Sequence, residues 1–176
     1  MKRTVNQRRA RAADTMRAPA RLWLVRHAHA LDGDDDAVRP LSPKGRAQVK
    51  QLARFLRPSG GFAPAEIWHS PLVRAHQTAD LLARLLKLRV PRRPIAGLIP
   101  GADPAALARQ LARTGDALAL VGHEPDLSAL ASLLVTGTAQ PPAFELMKCS
   151  VLALERSAGR WIVRWQVSPE LLGRKD

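Results

Sequence analysis

The chain has 176 residues, which fits one domain of ordinary size, and 46% are apolar, enough to bury a sizeable core. It carries 28 Lys and Arg against 15 Asp and Glu, a formal charge of +13 that favours anionic partners. The lone cysteine, Cys149, excludes an internal disulfide and a multi-cysteine metal site, and no apolar run approaches the ~18 residues of a membrane span.

Residues 1–20 read as a disordered basic tail, with six Lys/Arg, one Asp and no apolar periodicity. They lack the apolar h-region of a secretory signal. Together with the single cysteine this gives a reducing, cytoplasmic setting as the expectation. A start at Met16 would open almost directly on the first strand. Residues 21–176 then read as a single domain.

"RLWLV" (21–25) is a short buried strand, followed by the polar loop "ALDGDDDAVRP". A helix opens at Ser42-Pro43, with Ser as N-cap and Pro at the first helical position; Val49, Leu52, Ala53 and Leu56 keep helical spacing. "AEIWHS" (65–70) is a second strand. Residues 70–87 repeat the helix device, with Ser70 as cap and Pro71 as opener. Residues 88–103 are a short connection that leaves the pocket open, without a large lid. A third helix covers 104–114, a third buried strand 117–123 and a fourth helix 125–135. Residues 150–155 and 160–167 flank Ser-Ala-Gly and read as a hairpin. Strands alternating with helices predict an α/β fold: a three-layer α/β/α sandwich on a mostly parallel sheet.

Three strands stop on histidine: Arg26-His27, His69 and His123. In open α/β sheets, ligands bind outside the carboxyl ends of the strands. Arg26, His27, His123 and Arg74, one turn into a helix, are therefore expected to converge. Two guanidinium groups, two imidazoles and a helix N-terminus suit a phosphoryl group better than a metal ion, which would want carboxylates and no flanking cations. A neutral imidazole can attack phosphorus in line while the arginines neutralise the transferring oxygens. No aromatic side chains interleave with the basic ones, so nucleic acid is not an expected partner. His29 reads as a supporting residue behind the site, and His69 and His76 as surface residues.

These residues resemble the histidine phosphatase superfamily, also called phosphoglycerate-mutase-like, and within it the SixA-type phosphohistidine phosphatases. The resemblance spans about residues 21–172. It rests on Arg26-His27-Ala28 after the first strand, "DAVRPLSPKG" (36–45), "SPLVRAHQT" (70–78), "VGHEPDLS" (121–128) and "WQVSPELL" (165–172). Any one motif is weak; several in this order are specific. The resemblance implies that His27 is the nucleophile that becomes phosphorylated, Arg26 and Arg74 bind the phosphoryl group, and His123 contacts its oxygens. Arg39 and Asp36 match a loop facing the same pocket. Lys148 is a further candidate substrate contact.

The chain departs from the pattern at Ala28, where the family usually has glycine; if that position needed positive φ, alanine would be strained. The general acid is open between Asp36 and Glu124. The resemblance implies a metal-independent phosphatase without cofactor, acting on phosphohistidine in a protein, such as a phosphohistidine-bearing transfer domain, through a phosphohistidine enzyme intermediate. The same chemistry on a small phosphomonoester or another phosphoprotein is the alternative. A non-catalytic phosphate- or nucleic-acid-binding module is the reading of another class.

Overall fold

The computed structural model describes residues 21–112, 114 and 117–172. The basic tail expected at 1–20 lies outside the described residues. No helix among the described residues is long and apolar enough to cross a membrane.

Among the described residues, six strands form one sheet: β1 (Arg21–Arg26), β2 (Glu66–His69), β3 (Arg92–Pro94), β4 (Leu118–Gly122), β5 (Val151–Ser157) and β6 (Arg160–Val167), in spatial order β3-β2-β4-β1-β5-β6. The four strands from β3 to β1 are mutually parallel, and β5 and β6 are antiparallel additions at one side. Among the described residues, four α-helices cover the sheet: α1 (Pro43–Ser59), α2 (Val73–Leu86), α3 (Pro104–Leu111) and α4 (Asp126–Thr136).

Strand alternation sorts the core into two halves. Trp23 and Val25 of β1 join Val49, Leu52 and Leu56 of α1 and Leu82 of α2 on one side. Leu22 and Leu24 join Leu107 and Leu111 of α3 and Leu127 and Leu130 of α4 on the other. Each fully buried leucine contributes about 1.5–3 kcal/mol by leaving water. The result is the expected three-layer α/β/α sandwich.

Local rules hold at α1. Ser42 is the N-cap, its hydroxyl accepting from Gly45 N at 3.1 Å, with Pro43 at the first position. Gly45 is required for a second reason: a Cβ there would collide with His29 O. Four expectations need correction. The helix expected from Ser70 begins at Val73. Its N-cap is Leu72 without a side-chain bond, because Ser70 is fully buried at the end of β2 and accepts from Leu72 N in a tight turn. The third helix ends at Leu111 rather than 114. The connection at 88–103 contains a short edge strand, β3, and a 3-10 turn, Ala96–Leu98. Strand Arg-Arg-Pro carries no apolar alternation, and an edge position tolerates its proline. His69 is buried, 5% exposed, and is not a surface residue.

Candidate active site

The site lies where β1 and β4 end side by side. Arg26 pairs in register with Gly122, and His27 N donates to Gly122 O at 3.0 Å. This parallel pairing brings the residues following both strands together. The rings of His27 and His123 stand 4.9 Å apart, tilted by 54°. His27 is 8% exposed, His123 3% and Arg74 5%.

The His27 ring is oriented by its own chain. Nδ1 lies 2.8 Å from Ala28 O and, in the tautomer that carries a proton there, donates to it. That leaves the Nε2 lone pair available. Burial pushes the His27 pKa down to about 3; the fields of His123, Arg74 and Arg26 add to this, and the bond to Ala28 opposes it. Burial likewise lowers His123 to about 4. Both imidazoles are therefore neutral at physiological pH.

Ala28 is accommodated without the strain that positive φ would impose, since the non-glycine residues with positive φ are Lys87, Cys149 and Ala158. Ala28 N donates to Thr78 Oγ1 at 3.1 Å, and the Thr78 hydroxyl donates to Arg74 O at 2.7 Å. Thr78 thus ties the loop that bears His27 to the turn of α2 that carries Arg74. Gln77 accepts from Leu41 N at 2.8 Å, and Gln48 on α1 accepts from His29 N at 2.9 Å. These three positioning residues were not singled out by sequence reasoning. Gln77 and Thr78 stand in the quoted "RAHQT", three and four residues after Arg74, and this helical spacing was the available signal.

Arg26 Nη1 donates to Leu146 O at 2.8 Å. Its Nε is buried without a hydrogen-bond partner among the described residues, as are both ring nitrogens of His123. Native structures rarely leave buried donors unsatisfied, and these groups stand together beside His27, on the residues that end β1 and follow β4. Cys149 N bridges Arg26 O and His27 O at 3.2 Å each, and Cys149 adopts φ +63°, a left-handed conformation uncommon for a residue with a Cβ.

The loop around Asp36 closes on Arg74. Arg74 Nη1 donates to Asp36 O at 2.6 Å, and Nη2 to Asp36 Oδ2 at 2.9 Å. Arg39 donates to Asp36 Oδ1 at 2.9 Å, to Asp32 Oδ1 at 3.2 Å and to Leu31 O at 2.7 Å. Arg39 is thereby committed to the loop. The Arg74 and Arg39 hydrogen bonds hold the Asp36 carboxyl below the usual carboxylate range.

Glu124 sits at the entrance to α4. Burial raises its pKa, and the charges acting on it are those of Arg26 and Asp126. Asp36, by contrast, contributes to the field at His123. Lys148 lies with Lys44 near His29; after burial, these two charges are the next influences lowering the His29 pKa. The structure therefore brings Arg26, His27, Arg74, His123 and Asp36 into one electrostatic cluster. It places Lys148 at the rim and sets Glu124 beside Arg26.

Comparisons with known proteins agree with this architecture. The profile of the histidine phosphatase superfamily (branch 1) matches residues 22–96. A protein of Picosynechococcus sp. is 36% identical over 146 residues, covering 79% of this chain and 87% of that one. Phosphohistidine phosphatase SixA of Escherichia coli is 29% identical over 154 residues, covering 84% of this chain and 93% of the relative. Among solved structures, the protein histidine phosphatase SixA complexed with tungstate aligns with a TM-score of 0.76 and 26% identity, covering 87% of this chain and 99% of that one. Matching motifs, matching fold and near-complete coverage of these relatives lead to one conclusion: the chain belongs to the histidine phosphatase superfamily, in its SixA-type branch.

Proposed function

We propose that the protein hydrolyses phosphohistidine on a protein substrate, with His27 as the nucleophile. The observation that carries this reading is the cluster of under-used polar groups around His27 Nε2. Arg26 Nε and both nitrogens of His123 are buried without partners, and a phosphoryl group would supply acceptors for Arg26 Nε and for the protonated ring nitrogen of neutral His123. The solved relative that holds tungstate, a tetrahedral oxyanion, supports the same reading.

In this reading His27 Nε2 attacks phosphorus, and a P–N bond to the enzyme forms as the substrate's P–N bond breaks. The leaving imidazole takes the electron pair and a proton from solvent. Water then attacks phosphorus, the His27–P bond breaks, and inorganic phosphate leaves. Arg26, Arg74 and His123 stabilise the oxygens, so the chemistry needs no metal ion. The Asp36 carboxylate holds the Arg74 guanidinium where a phosphoryl oxygen would bind, so substrate competes with Asp36 for it.

The choice of phosphohistidine rests on the acids. Asp36, the carboxyl within the cluster, is held ionised by two arginines, while burial raises the pKa of Glu124 at the entrance to α4, beside Arg26. An alkoxide leaving group needs a proton donor in the transition state. An imidazole needs it far less, and attacking and leaving groups are then chemically alike. The test compares release of phosphate from a phosphohistidine-bearing transfer domain with release from an alkyl phosphate. Preference for the first, with an acid-labile phosphoenzyme trapped on wild type and absent from His27→Ala, is the expected result. Faster turnover of the alkyl phosphate would overturn the substrate assignment, and an active His27→Ala the mechanism.

A further inference from the structure

The helices on the two faces of the sheet differ in charge. α1 carries Lys44, Arg46, Lys50, Arg54 and Arg57 and no acidic residue. Arg46, Lys50 and Arg54 follow one another at four-residue intervals, so they line one stripe of the helix. Like charges at this spacing disfavour the helix, and no carboxylate among the described residues forms an ion pair with any of the three. The stripe continues onto α2 and its exit through exposed Arg84, Lys87 and Arg89. A groove of about 510 Å³ runs between the two helices, lined by Arg46, Gln77, Asp80, Arg84 and Arg92.

The other layer is different. α3 carries one Arg and α4 one Asp, and both are in local use: Arg109 lies 3.6 Å from Asp103, and Asp126 accepts from Gly101 N at 2.9 Å. An arginine-rich composition spread evenly would charge both layers alike. The excess sits on one of them.

That layer also leads to the catalytic cluster. Gln77, in the groove wall, is one turn from Arg74 and holds Leu41 N. Lys44 and Lys148 add cations beside His29. The charged groove therefore begins next to the site and extends away from it, further than a small phosphate ester could reach.

We propose that this basic α1/α2 face docks an acidic surface of the phosphoprotein whose phosphoryl group enters the site, a partner assignment that rests on the phosphatase reading above. Exposed charges act mainly by steering encounter and fixing orientation, so the effect belongs in the second-order rate constant and in its salt dependence. Arg46, Lys50 and Arg84 do not touch the reacting groups, and their removal leaves the chemistry intact.

The test is the full-length triple variant Arg46→Glu, Lys50→Glu, Arg84→Glu, assayed on two substrates. One is an acidic histidine-phosphotransfer domain phosphorylated on its histidine; the other is p-nitrophenyl phosphate. At low ionic strength the variant should lose at least about tenfold in kcat/KM on the domain, within the range of electrostatic steering. Turnover of the aryl phosphate should stay within about twofold, and the gap should close as salt rises. Arg109→Glu on the opposite layer should change neither. Equal loss on both substrates, or no selective loss on the domain, overturns the docking face while leaving the phosphatase reading intact. Tighter binding of wild type to a short DNA duplex than to the domain also overturns it, in favour of nucleic acid. A wild type that releases no phosphate from either substrate overturns the phosphatase reading, and the partner assignment with it.

Discussion

Two places in this fold repeat one local device with different outcomes. At the end of β1, His27 Nδ1 lies 2.8 Å from the carbonyl of Ala28, and the ring meets His123 at 4.9 Å. At the end of β2, His69 Nδ1 lies 2.9 Å from the carbonyl of Ser70, and the ring stacks on His76 at 4.9 Å. Both histidines are buried at strand ends, and burial lowers both pKa values. The His69 cleft is roomy, about 650 Å³. What differs is charge. Asp80 lies 3.1 Å from His76 Nε2 and 2.7 Å from Arg92 Nε, so the second pair sits in a neutralised setting. His27 and His123 sit among Arg26 and Arg74; Asp36 pairs with Arg74, but Arg26 has no carboxylate salt bridge among the described residues and its buried Nε is unsatisfied. A strand-end imidazole with a fixed tautomer is thus a common part. The surrounding excess of positive charge makes one copy suitable for a phosphoryl group.

The largest effect separates the two copies outright. His27→Ala should abolish phosphate release, because the proposed intermediate forms on that nitrogen, whereas His69→Ala should keep turnover within about twofold. Loss of activity in the second variant, measured on folded protein, would end the distinction. Next is Arg74→Ala, expected to cost about 2–4 kcal/mol of transition-state stabilisation, the scale for one preorganised donor, read as a drop in kcat/KM. An unchanged rate would remove Arg74 from the chemistry.

His69→Ala should instead lower folding stability by about 1–3 kcal/mol, since Ser70 O loses its ring partner in a buried place; denaturant unfolding reads this directly. pH sharpens the contrast further. The folded pKa of His27, about 3, lies below the ordinary histidine value of 6.5. Between those values the unfolded chain binds more protons, so this group's contribution is complete above pH 6.5 and is lost as pH falls toward 3. His27→Asn should therefore flatten the rise of stability across that window. A slope equal to wild type would mean that His27 titrates normally. The smallest effect concerns the competing anion: Asp36→Asn should tighten inhibition by tungstate several-fold, because one negative charge no longer opposes binding at Arg74. Weaker inhibition would mean that Asp36 orients Arg74 for the ligand.

Much of the fold was legible in the chain. "RLWLV" and "ALALVG" are continuous apolar runs, as strands buried on both faces must be, and Ser42-Pro43 starts α1 as capping chemistry requires. Ser70-Pro71 has the same signature and fails, because β2 draws Ser70 into the core. β3 was illegible, since Arg92-Arg93-Pro94 carries no pattern and is a strand only because β2 offers its edge. Asp36 was ambiguous inside an acidic loop; its meaning comes from Arg74, 38 residues away.

The sequence by itself determined the order of the strands and helices other than β3, the side chains that end β1, β2 and β4 and the motifs that identify the family. These are consequences of periodicity, capping and local chemistry, which act over a few residues. The tertiary structure alone decided which strand-end histidine is surrounded by an excess of positive charge. It also decided that Asp36 is spent on Arg74 and that Arg46 of α1 and Arg84 of α2 line one groove. Burial and Coulombic interaction depend on distances between segments far apart in the chain, and those distances exist only once the sheet has brought β1, β2 and β4 side by side.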